Sequence, residues 1–200
     1  MKLYDIFEMT PYNIPQTDFN MSNIEHNQEM AENTIKLLGR RKAKIIKKIS
    51  DTVYLCSIPR GVTMIDKKLM RVLYYVEYEI KYIKLIKTTA LTQVLVWNDD
   101  TRSESFHLSG YVFTQILLPK TGVIMADSKQ TWDGQRFWRR QVSTALQNGL
   151  YVYYADLKPP GELKFITSQQ EFMQIINTKQ PWGQAPDNLK QRFIVSTKLL

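Results

Sequence analysis

Between Gly122 and Asp156 the sequence changes its hydrophobic period twice. Residues 123–126 form a short apolar run of the kind a buried strand needs, and the run ends in the polar pair Asp127-Ser128. Trp138, Val142, Ala145 and Leu146 then recur at the spacing of one helical face, and Gly149 stops that helix. Residues 150–155 are apolar again. Strand, turn, helix, strand implies a sheet to which the crossover helix returns the chain. It also sets a helix N-terminus, with its unpaired backbone N–H groups, beside the carboxyl end of a strand, an arrangement that favours anions. Gly134 permits close backbone approach there, and Arg136, Arg139 and Arg140 add positive charge. Ordinary capping of the helix by Ser128, Thr131 or Asp133 is the plainer role of the same residues.

The rest of the chain reads as follows. Residues 1–21 carry Pro11, Asn13, Pro15 and Asn20 without periodicity and predict an extended arm, with 22–200 a single domain. Ser22 with Glu25 three residues on has capping-box spacing for a helix faced by Ile24, Met30, Ile35 and Leu38 and stopped by Gly39. Strands are predicted at 43–49, 52–59 and 62–65. The run 71–85 sets Val76, Tyr78, Ile80, Tyr82 and Leu85 among Glu77, Glu79, Lys81 and Lys84, which predicts an antiparallel strand with one wetter face. Residues 92–97 pair with it, and Asn98-Asp99-Asp100 turns the chain. Leu108, Tyr111, Val112, Gln115 and Ile116 predict a helix ended by Pro119. Late in the chain Pro159-Pro160-Gly161 is a break, 168–176 a short helix and 192–196 a last strand. Antiparallel strands followed by a β-α-β unit predict an α/β chain of mixed α+β type, with a mixed, mainly antiparallel sheet and flanking helices.

Composition removes several classes. Hydrophobic residues at 44% exclude global disorder. No apolar run approaches the roughly 18 residues of a membrane-spanning helix, and residues 1–8 are too polar for a secretory signal. One cysteine, Cys56, leaves no internal disulfide and fits a reducing cytoplasm. Two distant histidines with that one cysteine exclude a structural zinc site, and no metal is expected. The formal net charge of +8 favours polyanionic partners such as nucleic acid, a phosphorylated cofactor or an acidic protein surface.

The run 123–126, Asp127-Ser128, Thr131-x-x-Gly134, Trp138, the helix to Leu146 and Gly149-Leu-Tyr-Val-Tyr together resemble the GNAT family of acyl-CoA N-acyltransferases. Within it they are most similar to the divergent acetyltransferase-like proteins encoded by tailed phages. The likeness is sharp over 122–156 and loose over 73–156. It implies an acyl-CoA N-acyltransferase-like fold in which strand, pyrophosphate-binding turn, helix and further strand form the cofactor site. Acetyl-CoA is then the implied cofactor, with Ser128, Thr131, Gly134, Arg136 and Arg139 about its phosphates. The family turn, Arg/Gln-x-x-Gly-x-Gly/Ala, aligns with Thr131-Trp-Asp-Gly134-Gln-Arg136, so Arg136 takes a position reserved for a small residue, where it either occludes the cofactor or pairs with phosphate itself. A tyrosine near the end of the strand after the helix commonly serves the family as acid. That makes Tyr153 and Tyr154 the implied donors to the departing thiolate, with Asp127 the base for the attacking amine. The implied acceptor is a nucleic acid or a host protein, met in the host cytoplasm.

Three further patterns carry their own chemistry. Lys36, Arg40, Arg41, Lys42, Lys44, Lys47 and Lys48 fall within thirteen residues with no acid among them. The last six are candidate phosphate contacts of a non-catalytic nucleic-acid- or partner-binding protein on a degenerate form of the same fold; lysines guarding an edge strand are the duller account. Glu77-x-Glu79-x-Lys81 matches half of a Mg²⁺-dependent nuclease core, which needs one more acid such as Asp66 or Asp99. Cross-strand charge pairing explains it more simply. Trp132 lies in a polar turn and either meets a ligand or partner or folds back on the core.

Overall fold

The computed structural model describes residues 24–99, 108–128, 130–182 and 188–200. The arm expected at 1–21, the cap at Ser22 and the turn residue Asp100 lie outside them. The chain is mixed α/β, with a mostly antiparallel sheet and helices. Among the described residues no helix is long and apolar enough to cross a membrane. The chain divides into two compact units, Met1–Tyr78 with Val94–Ser109, and Glu79–Gln93 with Gly110–Leu200. Strands β4 (Arg71–Ile83) and β5 (Thr88–Asn98) therefore contribute residues to both.

In the first unit, helix α1 (Ile24–Gly39) precedes β1 (Lys44–Lys48), β2 (Val53–Ile58) and β3 (Gly61–Asp66), which pair antiparallel in sequence order and on to β4. Met30 and Ala31 of α1 pack on Cys56, Ile58, Ile65, Val72 and Tyr75. The apolar stripe of α1 is thin, and a polar clasp completes its attachment. The buried Asn27 amide donates from Nδ2 to the Val72 carbonyl at 3.1 Å and accepts at Oδ1 from the Val72 amide at 2.7 Å. Those main-chain groups need such a partner because the β3–β4 register shifts there, Met64 facing Tyr74 while Ile65 faces Val72. Burial pushes the Cys56 thiol up to about 11, which leaves it protonated and unreactive at neutral pH.

In the second unit, β6 (Val123–Met125), β7 (Tyr151–Asp156), β8 (Glu162–Ile166) and β9 (Gln191–Ser196) follow β5 in the order β5-β6-β9-β7-β8. The β5–β6 pair is parallel and the remaining pairs of this unit with recorded register are antiparallel. The two strands of the expected β-α-β unit are thus not neighbours. β9 lies between them, with Ser196 facing Val123 on one side and Tyr151 on the other. Phe193, Ile194 and Val195 are apolar in succession, so β9 is suited to burial on both faces. β8 is a strand that sequence reasoning missed; of its residues only Ile166 is fully buried, so it carries little apolar pattern.

Helix α3 (Trp132–Gln147) buries Trp138, Gln141, Val142 and Ala145. Trp138 meets Phe113 edge-to-face with ring centres 5.4 Å apart. Phe113 belongs to α2, the helical segment 108–121, which does not end at Pro119 as the sequence suggested. It widens to a π-helix over Val112–Leu117, where the Leu118 amide bonds to the Phe113 carbonyl, and Pro119 then sits in the first turn of a closing α-helical stretch, Leu118–Thr121. In that position the missing N–H and the ring of proline are tolerated. Gly122, at φ 72°, ends the segment. Helix α4 (Gln169–Lys179) sets Phe172 against Phe193 of β9 at 5.0 Å. Alternate β9 residues face the other way, and Ile194 joins Ile86, Ala90, Val123, Met125, Tyr153 and Ala155 in a second apolar cluster.

Candidate functional site

The β5–β6 pair interrupts the antiparallel alternation of the sheet with two parallel neighbours. Its recorded register is Leu91↔Ile124 and Thr92↔Met125. Beyond it come Gln93 on one strand and Ala126, Asp127 and Ser128 on the other. Ligands of open α/β sheets gather outside the carboxyl ends of their parallel strands. Gln93 is 5% exposed, and neither end of its side-chain amide has a hydrogen-bond partner among the described residues. A buried polar group left unpaired costs about 1–3 kcal/mol, so it marks a place where a partner from outside would be bound with gain.

Asp127 stands at the end of β6 on the other face of the sheet from Gln93, since Thr92 pairs with Met125 and Gln93 is the next residue along. Its Oδ1 accepts from the Ser128 amide at 2.6 Å and lies 3.4 Å from the Ser128 hydroxyl, which donates to it. Burial pushes this carboxyl's pKa up. The Ser128 amide and the Arg192 guanidinium pull it back, and Glu79 adds a small push upward. Arg192, at the start of β9, is itself buried, which lowers its pKa against the support of Asp127. Its Nη1 donates to the Gln191 carbonyl at 2.7 Å. Sequence reasoning named Asp127 and Ser128 but missed Gln93 and Arg192. The available signals were a lone amide inside the apolar run Leu91-Thr-Gln-Val-Leu95 and a cation opening an otherwise apolar strand.

The turn into α3 is occupied by its own side chains. Thr131 is the N-cap, its hydroxyl accepting from the Gly134 amide at 3.1 Å. A Cβ at Gly134 would lie 2.5 Å from Gln130 Oε1, so the space that glycine opens is filled by Gln130 rather than left for a ligand. Arg136 is exposed and pairs with Asp133 at 3.8 Å. Arg139 lies over the Trp182 ring, 5.5 Å from its centre.

Tyr153 and Tyr154, adjacent on β7, point to opposite faces of the sheet. The Tyr153 hydroxyl accepts from the Leu200 amide at 3.0 Å, and its ring packs on Phe165. Tyr154 pairs across the strands with Phe193, and burial pushes its phenol up to about 12. Arg192 lies opposite Ala155, two places from Tyr153, so the Asp127–Arg192 pair shares the Tyr153 face.

Glu79 and Lys81 form an ion pair. Asp66 accepts from the Lys68 and Leu69 amides, and Asp99 lies 3.6 Å from Arg71. Among the described residues no group of three or more His, Cys, Asp or Glu side chains is arranged to hold a metal ion. In the first unit Arg40, Arg41 and Lys42 follow α1, and Lys44, Lys47 and Lys48 lie on β1, every residue of which is exposed. Lys48 and Lys67 both approach the Tyr54 ring, at 6.0 and 5.3 Å from its centre. A shallow open depression of about 390 Å³ between α3 and α4 is lined by Ser143, Leu146, Gln147, Thr167, Ser168 and Gln169, none of them ionisable. Compared with known proteins, the chain matches no family model, no curated protein and no solved structure.

Proposed function

We propose that this chain is a GNAT-like acyltransferase that takes an acyl-CoA at the carboxyl end of the β5–β6 pair. The supporting observation is the buried amide of Gln93 beside that end, which has no hydrogen-bond partner among the described residues. An amide with donor and acceptor both unspent suits a ligand bearing amides of its own, as the pantetheine arm of coenzyme A does. Asp127 supplies the base. A carboxyl whose pKa is raised by burial is a stronger base than an exposed one, and it takes the proton of an attacking amine directly or through water. The amine nitrogen bonds to the thioester carbon, the C–S bond breaks, and the proton passes to the departing thiolate. Gln93→Leu separates this reading from a packing role. It removes an unsatisfied buried group, so the melting temperature should rise while the further stabilisation by acetyl-CoA shrinks. Equal stabilisation of parent and variant by acetyl-CoA would sink the assignment.

A second reading rests on the basic edge of the first unit. Six cations, Arg40, Arg41, Lys42, Lys44, Lys47 and Lys48, lie exposed along the end of α1 and the outermost strand β1, which suits a polyanion such as nucleic acid. Reversing Arg40, Arg41 and Lys42 to Glu should weaken duplex binding and flatten its salt dependence by about 0.9 per lost phosphate contact in the log–log slope. An unchanged slope counts against it.

A further inference from the structure

The outer face of α3 carries an aromatic and two cations in line. Trp132, the first residue of the helix, is 73% exposed, more than any other large hydrophobic side chain among the described residues. The core has no use for it, since Trp138, Gln141, Val142 and Ala145 supply the buried face. Arg136 and Arg140 are also exposed and follow at successive steps of four residues, each about 6 Å further along the axis on the same side of the helix. The Arg136–Asp133 pair holds Arg136 weakly, its side chains being 65% and 90% exposed. Arg139, between the two arginines in sequence, turns instead to Trp182.

A flat exposed ring followed by guanidinium groups suits a ligand that offers planar faces and negative charge in alternation. Single-stranded nucleic acid offers both, whereas a duplex hides its base faces and an acidic peptide lacks them. The chain's net charge of +8 favours the same class of ligand. We infer that the outer face of α3 binds single-stranded nucleic acid, a base stacking on Trp132 while Arg136 and Arg140 hold the adjoining phosphates. This surface involves neither Gln93 nor the basic edge of the first unit, so it stands or falls apart from both readings of function.

The test is intrinsic fluorescence during titration with a short oligo-dT strand. Trp138 and Trp182 are buried and Trp97 is partly buried, so Trp132 supplies the readily quenched signal. Oligo-dT should quench it. Trp132→Ala removes that reporter, so its binding is followed by the anisotropy of end-labelled oligo-dT, and it should be weaker by about tenfold, the order expected for one stacked base. The double variant Arg136→Glu with Arg140→Glu should weaken it as well, while an abasic strand of equal length and charge leaves the fluorescence unmoved. Because Trp132 is exposed, its replacement leaves the melting temperature unchanged and the comparison valid. Undiminished oligo-dT binding by Trp132→Ala, or equal quenching by the abasic strand, overturns the inference. Equal quenching by coenzyme A also overturns it, by assigning the ring to a cofactor.

Discussion

Arg192, buried on β9, and Asp127, partly buried beyond the end of β6, stand as opposite charges, and each offsets part of the other's desolvation. The offset is incomplete. Burial remains the largest influence on Asp127 and holds its pKa above the usual carboxylate range. A carboxyl with a raised folded pKa contributes stability that is fully present below its unfolded pKa and lost as pH rises through the folded one. Asp127→Asn keeps an acceptor for the Ser128 amide and cannot ionise. Relative to the parent it should therefore be more stable at neutral pH than at about pH 3, near or below the unfolded carboxylate value. Thermal melts of both proteins at the two pH values check this; a difference that does not grow with pH contradicts it. Arg192→Met takes away a cation that lowers the Asp127 pKa, so its loss of melting temperature relative to the parent should be greater at neutral pH than in acid.

The start of α4 gives the opposite sign. Glu171 accepts from the Thr167 amide at 2.9 Å and from Lys164 at 2.9 Å, while Ser168 accepts from the Glu171 amide at 3.2 Å. The Thr167 bond first, and Lys164 second, lower the Glu171 pKa. Stability from such a group is present above the unfolded carboxylate pKa and lost as pH falls through the folded one. Glu171→Gln should melt lower than the parent at neutral pH and converge with it in acid. Ser168→Ala should cost about 1 kcal/mol, the usual loss of an N-cap.

Gly134→Ala discriminates between the α3 turn and the β5–β6 end as the ligand's place. Nearest to the added methyl would be the flexible tip of Gln130 and the Thr131 hydroxyl, and Gln130 can swing away. Exchanging a helical glycine for alanine then gains up to about 1 kcal/mol. Acetyl-CoA affinity should not change, because the turn is closed by its own side chains. A stable variant with lost acetyl-CoA binding would return the site to the turn.

Much of this architecture is legible in the sequence where one rule governs one segment. The face of α3 follows from Trp138, Val142 and Ala145, and the antiparallel strands follow from their apolar alternation or runs. Pairing partners are harder. Nothing local to Phe193-Ile-Val195 says that this run inserts between β6 and β7, because that depends on which edges remain open after the earlier strands have paired. β8 escaped for want of buried residues, and α2 passed Pro119 by widening its turns, which hydrophobic spacing alone does not encode. At the candidate site, Asp127 and Ser128 stood out as the polar end of an apolar run. Gln93 acquires meaning only from the parallel register that sets it level with Ala126, and from the lack of a hydrogen-bond partner for its amide among the described residues.

The most direct measurement is a calorimetric titration of the intact chain with acetyl-CoA, run in parallel on Gln93→Leu. The expected result is saturable heat for the parent and affinity lower by about tenfold for the variant, the order of one lost buried hydrogen-bonding group. No heat of binding from the parent, or equal affinity in the two proteins, would contradict an acyl-CoA site at the end of the β5–β6 pair.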